Sequence, residues 1–216
     1  MKNWVNLVLI ILIIISIIIG VIYYPKVNDK IASHWNAKGE VDGQMNKFWG
    51  MFLLPIILIL MYFFYLVFPR IDPLRKNIKS FRFEFDIFMI ILFVFLFYVY
   101  LLTILYNIGI IINLSKFMIP AFAILIYYCG VLLRRSKRNW FIGIKTPWTL
   151  SNDYVWNRTH KIAGNLFKVS GILILISLFI YKLAYIILLV TILLSVAISV
   201  IYSYFIYRKI IKKKRT

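Results

Sequence analysis

Two histidines, His34 and His160, are the chain's whole supply of imidazole, and each sits in a polar stretch of an otherwise oily sequence. His34 opens "HWNAKGEVDGQMNK", in which Glu40 and Asp42 follow within eight residues. An imidazole and two carboxylates could ligate a metal, although a loop histidine more often hydrogen-bonds its own turn, which is the reading preferred here. His160 closes the second stretch, "NWFIGIKTPWTLSNDYVWNRTHKIAG", residues 139–164. Chemistry of the catalytic kind has little else to use. The sequence holds no HExxH, GxSxG, Walker A or GxGxxG pattern, and an enzyme is not expected. The single cysteine, Cys129, allows neither an intrachain disulfide nor a thiolate metal cluster, and it reads as a small buried hydrophobe. No metal and no cofactor is expected.

The elements that position these stretches are membrane spans. Of the 216 residues 63% are hydrophobic, and a bilayer core takes roughly 20 helical residues per crossing. Six runs meet that length: 4–24, 50–68, 85–106, 117–133, 162–181 and 183–207. Backbone groups in lipid must be satisfied internally, so the runs are helices and the fold is all-α and polytopic. Run 4–24 exceeds a signal peptide's apolar region and is followed by no A-x-A-like site, so it reads as a retained anchor.

Charge orients the chain. With the N-terminus inside, 20 of the 26 basic residues fall on the inner side and 6 on the outer, which predicts both termini in the cytoplasm. The inner set includes Lys2, eight cations between Arg134 and Lys168 against Asp153 alone, and the tail from Arg208 to Arg215. Such clusters attract anionic headgroups at about 1 kcal/mol per charge, or an acidic protein partner, and no nucleic-acid-binding motif accompanies them. No ionisable residue falls in the middle of the six runs, which argues against an ion-coupled transporter.

Within the runs, Thr191, Ser195, Ser199 and Ser203 lay small groups down one face of the last helix, and Gly164 with Gly171 offers a second close-contact face. Pro55 and Pro120 are expected in the first turns of their helices, and all six tryptophans at the membrane interfaces. Residues 25–49 should form a compact cap: Pro25 stops the first helix, and Asn36, Gly39, Asp42 and Gly43 supply turns. On the inner side, Thr146-Pro147 marks a turn, and Ser151 can cap a short helix in which Trp156, His160 and Gly164 share a face. Interfacial anchoring would explain the aromatics but not the Gly-x-Lys-Thr-Pro-Trp core.

Those two segments resemble the SdpI family of immunity proteins against the sporulation-delaying-protein toxin. The family shows an outer "P-x-x-I-P-x-H-x-N-x-x-G-x-x-D-G" loop of unknown role and an inner "N-x-x-x-G-x-R-T-P-W-T-L…W…H…G" segment. Ile31, His34, Asn36, Gly39, Asp42 and Gly43 match the first. Asn139, Gly143, Thr146, Pro147, Trp148, Thr149, Leu150, Trp156, His160 and Gly164 match the second. Asn28 and Ala32 replace usual prolines, and Lys145 replaces the usual arginine, keeping charge but losing a bidentate donor. The resemblance implies a two-helix unit over 1–68 with its outer loop, then a four-helix unit over 69–216 with a basic inner loop, 134–161. It further implies a multi-pass protein of the cell membrane that protects against a secreted peptide toxin met on the outer side. It also implies sequestration of a cytoplasmic transcriptional repressor, with binding residues among the matched positions and Lys145. A small-molecule transporter or an orphan receptor of the same family is the alternative.

Overall fold

Apolar runs this long leave the backbone no partner but itself, and the computed structural model resolves them as helices. It describes residues 3–110 and 112–215, and of 181 and 213–215 the backbone alone. Lys2 and the side chains of Lys213, Lys214 and Arg215, counted in the charge tally, lie outside the described residues. In chain order the elements are α1 (Asn3–Tyr23), β1 (Lys30–Trp35), β2 (Val41–Asn46), α2 (Lys47–Ile71), α3 (Arg75–Ser80) and α4 (Arg82–Asn107). There follow α5 (Leu114–Arg135), α6 (Pro147–Ser151), α7 (Asp153–Ile176) and α8 (Ala184–Arg215), with 3₁₀ turns at Tyr24–Lys26 and Ser177–Leu183. Six of the described helices are long and apolar enough to cross a membrane, and the chain is a multi-pass membrane protein.

Several boundaries differ from those read off hydropathy, because polar residues at a helix start continue the helix although they lie outside the apolar run. Pro55 and Pro120 lie inside α2 and α5 rather than in their first turns. Each withholds an N–H from the carbonyl four residues back, which membrane helices tolerate. Helix α7 begins at Asp153, nine residues before its apolar run, so Lys168 stands past the helix midpoint. Lys168 stands six residues into the apolar run that begins at Ile162, in the half of the run nearest the start of α7. The cap of α7 is Asn152, whose side chain accepts from Tyr154 and Val155 N–H. Ser151 instead ends α6, its hydroxyl donating to the Trp148 carbonyl.

The chain forms two compact units, Met1–Tyr65 with Met89–Ala121 and Leu66–Phe88 with Phe122–Thr216. In the first, Val27, Ile31, Met51, Tyr100 and Ile104 make a buried cluster. The Tyr100 hydroxyl donates to the Ser16 carbonyl at 3.1 Å, so the phenol is not left unpaired in the interior. In the second, α5 meets α7 through glycines. A Cβ on Gly164 would stand 2.7 Å from the Gly130 carbonyl oxygen, and one on Gly171 2.8 Å from that of Ala123. Backbones this close exclude any larger residue. The serine face of α8 is buried at Ser195, Ser199 and Ser203, and Ser195 exchanges a 2.9 Å hydrogen bond with Ser170 of α7. The hydroxyls otherwise donate to carbonyls one turn back, as isolated polar groups in an apolar setting must.

Candidate functional site

The first set of candidate residues builds a hairpin. Strands β1 and β2 pair antiparallel, with Ile31 opposite Met45 and Ala32 opposite Gln44. The chain reverses at Asn36–Glu40, where Asn36 Oδ1 accepts from Lys38 N–H at 2.9 Å and Glu40 N–H at 3.1 Å. Gly39 adopts φ +87° there, a conformation that suits glycine. Asp42 and Gly43 do not turn the chain; both lie in β2. Gly43 has a different use. It sits opposite His34 at a register shift, and a Cβ on it would come 2.9 Å from His34 Cβ. The bulge aims the imidazole along the strand, where Nδ1 lies 2.5 Å from Asp42 Oδ1. Both side chains are open, 72% and 44% exposed. Glu40 is drawn away, accepting from Asn36 Nδ2 at 2.9 Å, so the three acid and imidazole groups do not converge. Among the described residues no cluster of three or more His, Cys, Asp or Glu side chains could hold a metal.

Helices hold this hairpin at several points. Asn107, near the end of α4, accepts from Ala32 N–H at 2.8 Å and donates to the Ala32 carbonyl at 3.0 Å. That double bond requires an N–H at position 32, which the family's usual proline lacks. Ser115 donates to the Asn36 carbonyl, and Trp35 stands edge-on to Tyr106 at 5.3 Å. At the base, the Lys47 ammonium lies 2.8 Å from Asp29 and holds its carboxyl below the usual range.

The second set folds into a polar knot between α5 and α7. Asn139, fully buried, is its hub. Its Oδ1 accepts from Phe141 and Ile142 N–H, and its Nδ2 donates to the carbonyls of Lys137 and Ile142, all within 2.9 Å. One side chain thereby closes a loop that has no regular ladder of its own. Thr146 caps α6 in a reciprocal box with Thr149, and Pro147 takes the first helical turn, where a missing N–H is harmless. Trp156, His160 and Gly164 do share a buried face of α7. The His160 ring stacks on Trp156 at 4.0 Å and 14°. Its Nδ1 donates to the Trp156 carbonyl and its Nε2 accepts from Ile144 N–H, each at 2.9 Å. These two bonds fix the neutral tautomer. Gly143, at φ +125°, brings the loop against the ring; a Cβ there would meet Nε2 at 2.5 Å.

Trp156 is accordingly a core residue, not a member of an interfacial belt: it is fully buried, with its indole N–H on the Ser136 carbonyl. Trp4, Trp49 and Trp140 are exposed. Trp148 donates its indole N–H to Ser203 of α8, giving the serine face one more task. Lys145 is exposed, its ammonium 3.2 Å from the Trp140 carbonyl.

Three residues that complete the knot escaped the sequence reading. Asp72 is 2% exposed; it accepts from Leu74 N–H with one oxygen and from Trp140 N–H with the other, at 2.8 Å. Asn77 donates to the Arg138 carbonyl, and Arg138 binds the Leu150 carbonyl and Asp153. The only local sign is Asp72-Pro73, a turn dipeptide lost among the cations after α2. The hairpin set and the knot set fall in different units of the chain.

Comparison with known proteins gives two family matches. Residues 135–203, from the end of α5 through most of α8, match the SdpI/YfhL protein family. Residues 11–59, which carry the hairpin, match a domain of unknown function, DUF1648. The chain is also 27% identical over 207 residues to the Immunity protein SdpI of Bacillus subtilis (strain 168), covering 95% of this chain and 97% of that protein. No solved structure matches.

Proposed function

We propose that the chain, whose residues 135–203 match the SdpI/YfhL protein family, is a membrane immunity protein that protects its cell against a secreted, membrane-active peptide toxin. The observation that supports this most is similarity to an immunity protein along nearly the full length of both chains. The architecture agrees with the role. A peptide that acts in the bilayer must be met there, and this chain offers an apolar six-helix body and a rigid exposed hairpin. Nothing among the described residues is arranged to cleave a peptide, so protection works by capture or by occupying the toxin's insertion site. It should therefore titrate with the amount of protein. The 20-to-6 distribution of basic residues supports an orientation with the hairpin outside and the knot inside. The exposed cations Lys137, Arg158 and Lys161 then face the cytoplasm, where they supply a surface for an acidic partner such as a repressor held at the membrane.

The test is expression in a bacterium sensitive to a peptide toxin taken from the source organism's own genomic neighbourhood. Membrane potential is followed as toxin is added. Cells with abundant, inserted protein should hold their potential at doses that depolarise vector controls, with the protective dose rising with expression. Equal depolarisation in both strains refutes immunity. Saturable uptake or efflux of a small solute would instead favour a transporter.

A further inference from the structure

We propose that the α5–α7 face of the second unit is a binding site for one acidic phospholipid, its headgroup on Lys168 and Arg134 and an acyl chain in the slot beside Tyr127. Lys168 is the starting point. It is half-buried, six residues into the apolar run that begins at Ile162 and near the cytoplasmic end of that run, where an ammonium among apolar side chains needs a compensating partner. The compensation within the protein is slight: Nζ lies over the Tyr127 ring at 5.9 Å, the outer edge of a useful cation–π contact.

No acid reaches it. The four acids of this unit are engaged elsewhere: Glu84 with Arg135, Asp86 with Arg82, Asp153 with Arg138, and Asp72 with two backbone N–H groups. An anion from outside the chain is what Lys168 lacks, and in a bilayer the abundant anion is a lipid phosphate.

The surroundings have the shape of such a lipid. One turn toward the N-terminus of α7, Asn165 accepts from Arg134 Nη1 at 2.6 Å, which places an exposed guanidinium on the same face. In the other direction Ile172 and Leu175 follow Lys168 at i+4 and i+7, and with Gly171, Ile124 and Tyr127 they line an open slot of 280 Å³. The slot is almost wholly apolar. Gly171 lets α5 approach so closely that a Cβ there would stand 2.7 Å from Tyr127 Cβ, and the slot runs beside this contact. From Asn165 to Leu175 the helix rises about 15 Å, so the polar end and the apolar end are separated as a headgroup and the upper acyl chain are. The polar end lies toward the start of α7, the end that the charge distribution assigns to the cytoplasmic leaflet, where acidic lipids concentrate.

The experiment is native mass spectrometry of the full chain in detergent, titrated with phosphatidylglycerol or with phosphatidylcholine of identical acyl chains. Wild type should take one phosphatidylglycerol about thirtyfold more tightly than phosphatidylcholine, the gain expected of headgroup contacts to two basic residues at about 1 kcal/mol each. Inorganic phosphate should give no adduct, since it has no chain for the slot. Lys168→Gln should cut the headgroup preference to about fivefold, the share left to Arg134, and Ile172→Trp, which fills the slot, should weaken both lipids alike. Arg134→Gln, at an exposed position, gives the same headgroup readout should Lys168→Gln fail to fold. Phosphatidylglycerol binding no tighter than phosphatidylcholine in wild type overturns the site. So does a headgroup preference that Lys168→Gln leaves at the wild-type value, or an Ile172→Trp protein that binds both lipids as wild type does.

Discussion

Replacing His160 by phenylalanine separates two roles that the polar knot could have. The ring occupies a fully enclosed position, 1% exposed, stacked on Trp156. Phenylalanine preserves the volume and the stack, so no cavity opens. What disappears is the pair of hydrogen bonds at 2.9 Å. Their losses are unequal. The Trp156 carbonyl already lies within a helix and keeps its backbone donor, so losing the Nδ1 bond costs about 0.5–1 kcal/mol. Ile144 N–H has only the imidazole nitrogen, and orphaning a buried donor costs about 1–3 kcal/mol. A total of about 1.5–4 kcal/mol should appear as earlier unfolding in an SDS titration of the protein in mixed micelles. Limited proteolysis should show the loop opening first, at Lys145. Protection against toxin should fall only as the folded fraction falls. A His160→Phe protein that unfolds at the wild-type SDS fraction yet protects nothing would refute the reasoning, since the imidazole would then be acting on a ligand.

Three further outcomes follow from the geometry. Ala32→Pro removes the N–H that Asn107 holds, and should destabilise the hairpin by about 1 kcal/mol, read as faster amide exchange in residues 30–46. Trp148→Phe and Ser203→Ala should each loosen α6 from α8 by about 1 kcal/mol, and the double substitution should cost no more than the worse single one, because both remove the same bond. A cysteine at position 38 in a Cys129→Ser background should react with an impermeant maleimide in intact cells; reaction only after permeabilisation inverts the proposed topology.

The membrane architecture was legible because it rests on composition and length, which the bilayer constrains strongly. Close-packing faces were legible too: Gly164, Gly171 and the serines of α8 have a spacing that permits little besides helix contact. Helix starts were not. Asp153 to Lys161 reads as a short helix of its own in the basic inner segment, yet it runs on without a break into the membrane span as α7, because a buried face of Val155, Trp156, Thr159 and His160 outweighs the exposed charges between them. The hairpin was visible as a compact polar cap but not as strands. Asp42-Gly43 has the composition of a turn, and only the opposing His34 shows that glycine is needed there for a bulge. Arg138 stood only as a charge in the sequence and Asp72 stood out in no way, since a one-dimensional reading cannot see that each satisfies backbone groups far along the chain.

The two matched motifs differ in where their side chains point, and this bears on how function can be mapped. In the knot, Asn139, Thr149, Trp156 and His160 are buried and bond to backbone or to one another, so substitution there reports on folding first. The surface that the knot presents is made instead by residues outside the motif, such as Trp140, Arg158 and Lys161, which are exposed. In the hairpin the order reverses. Gly39 and Gly43 shape the backbone, Asn36 fixes the reversal, and the motif's own His34 and Asp42 stand in the open. A peptide approaching the hairpin would meet that pair on a platform already anchored by Asn107 and Ser115, so little ordering would be needed on contact. Loss of protection without loss of folded protein should therefore be sought first at His34 and Asp42 in the hairpin. In the other unit it should be sought among the cations around the knot rather than within it.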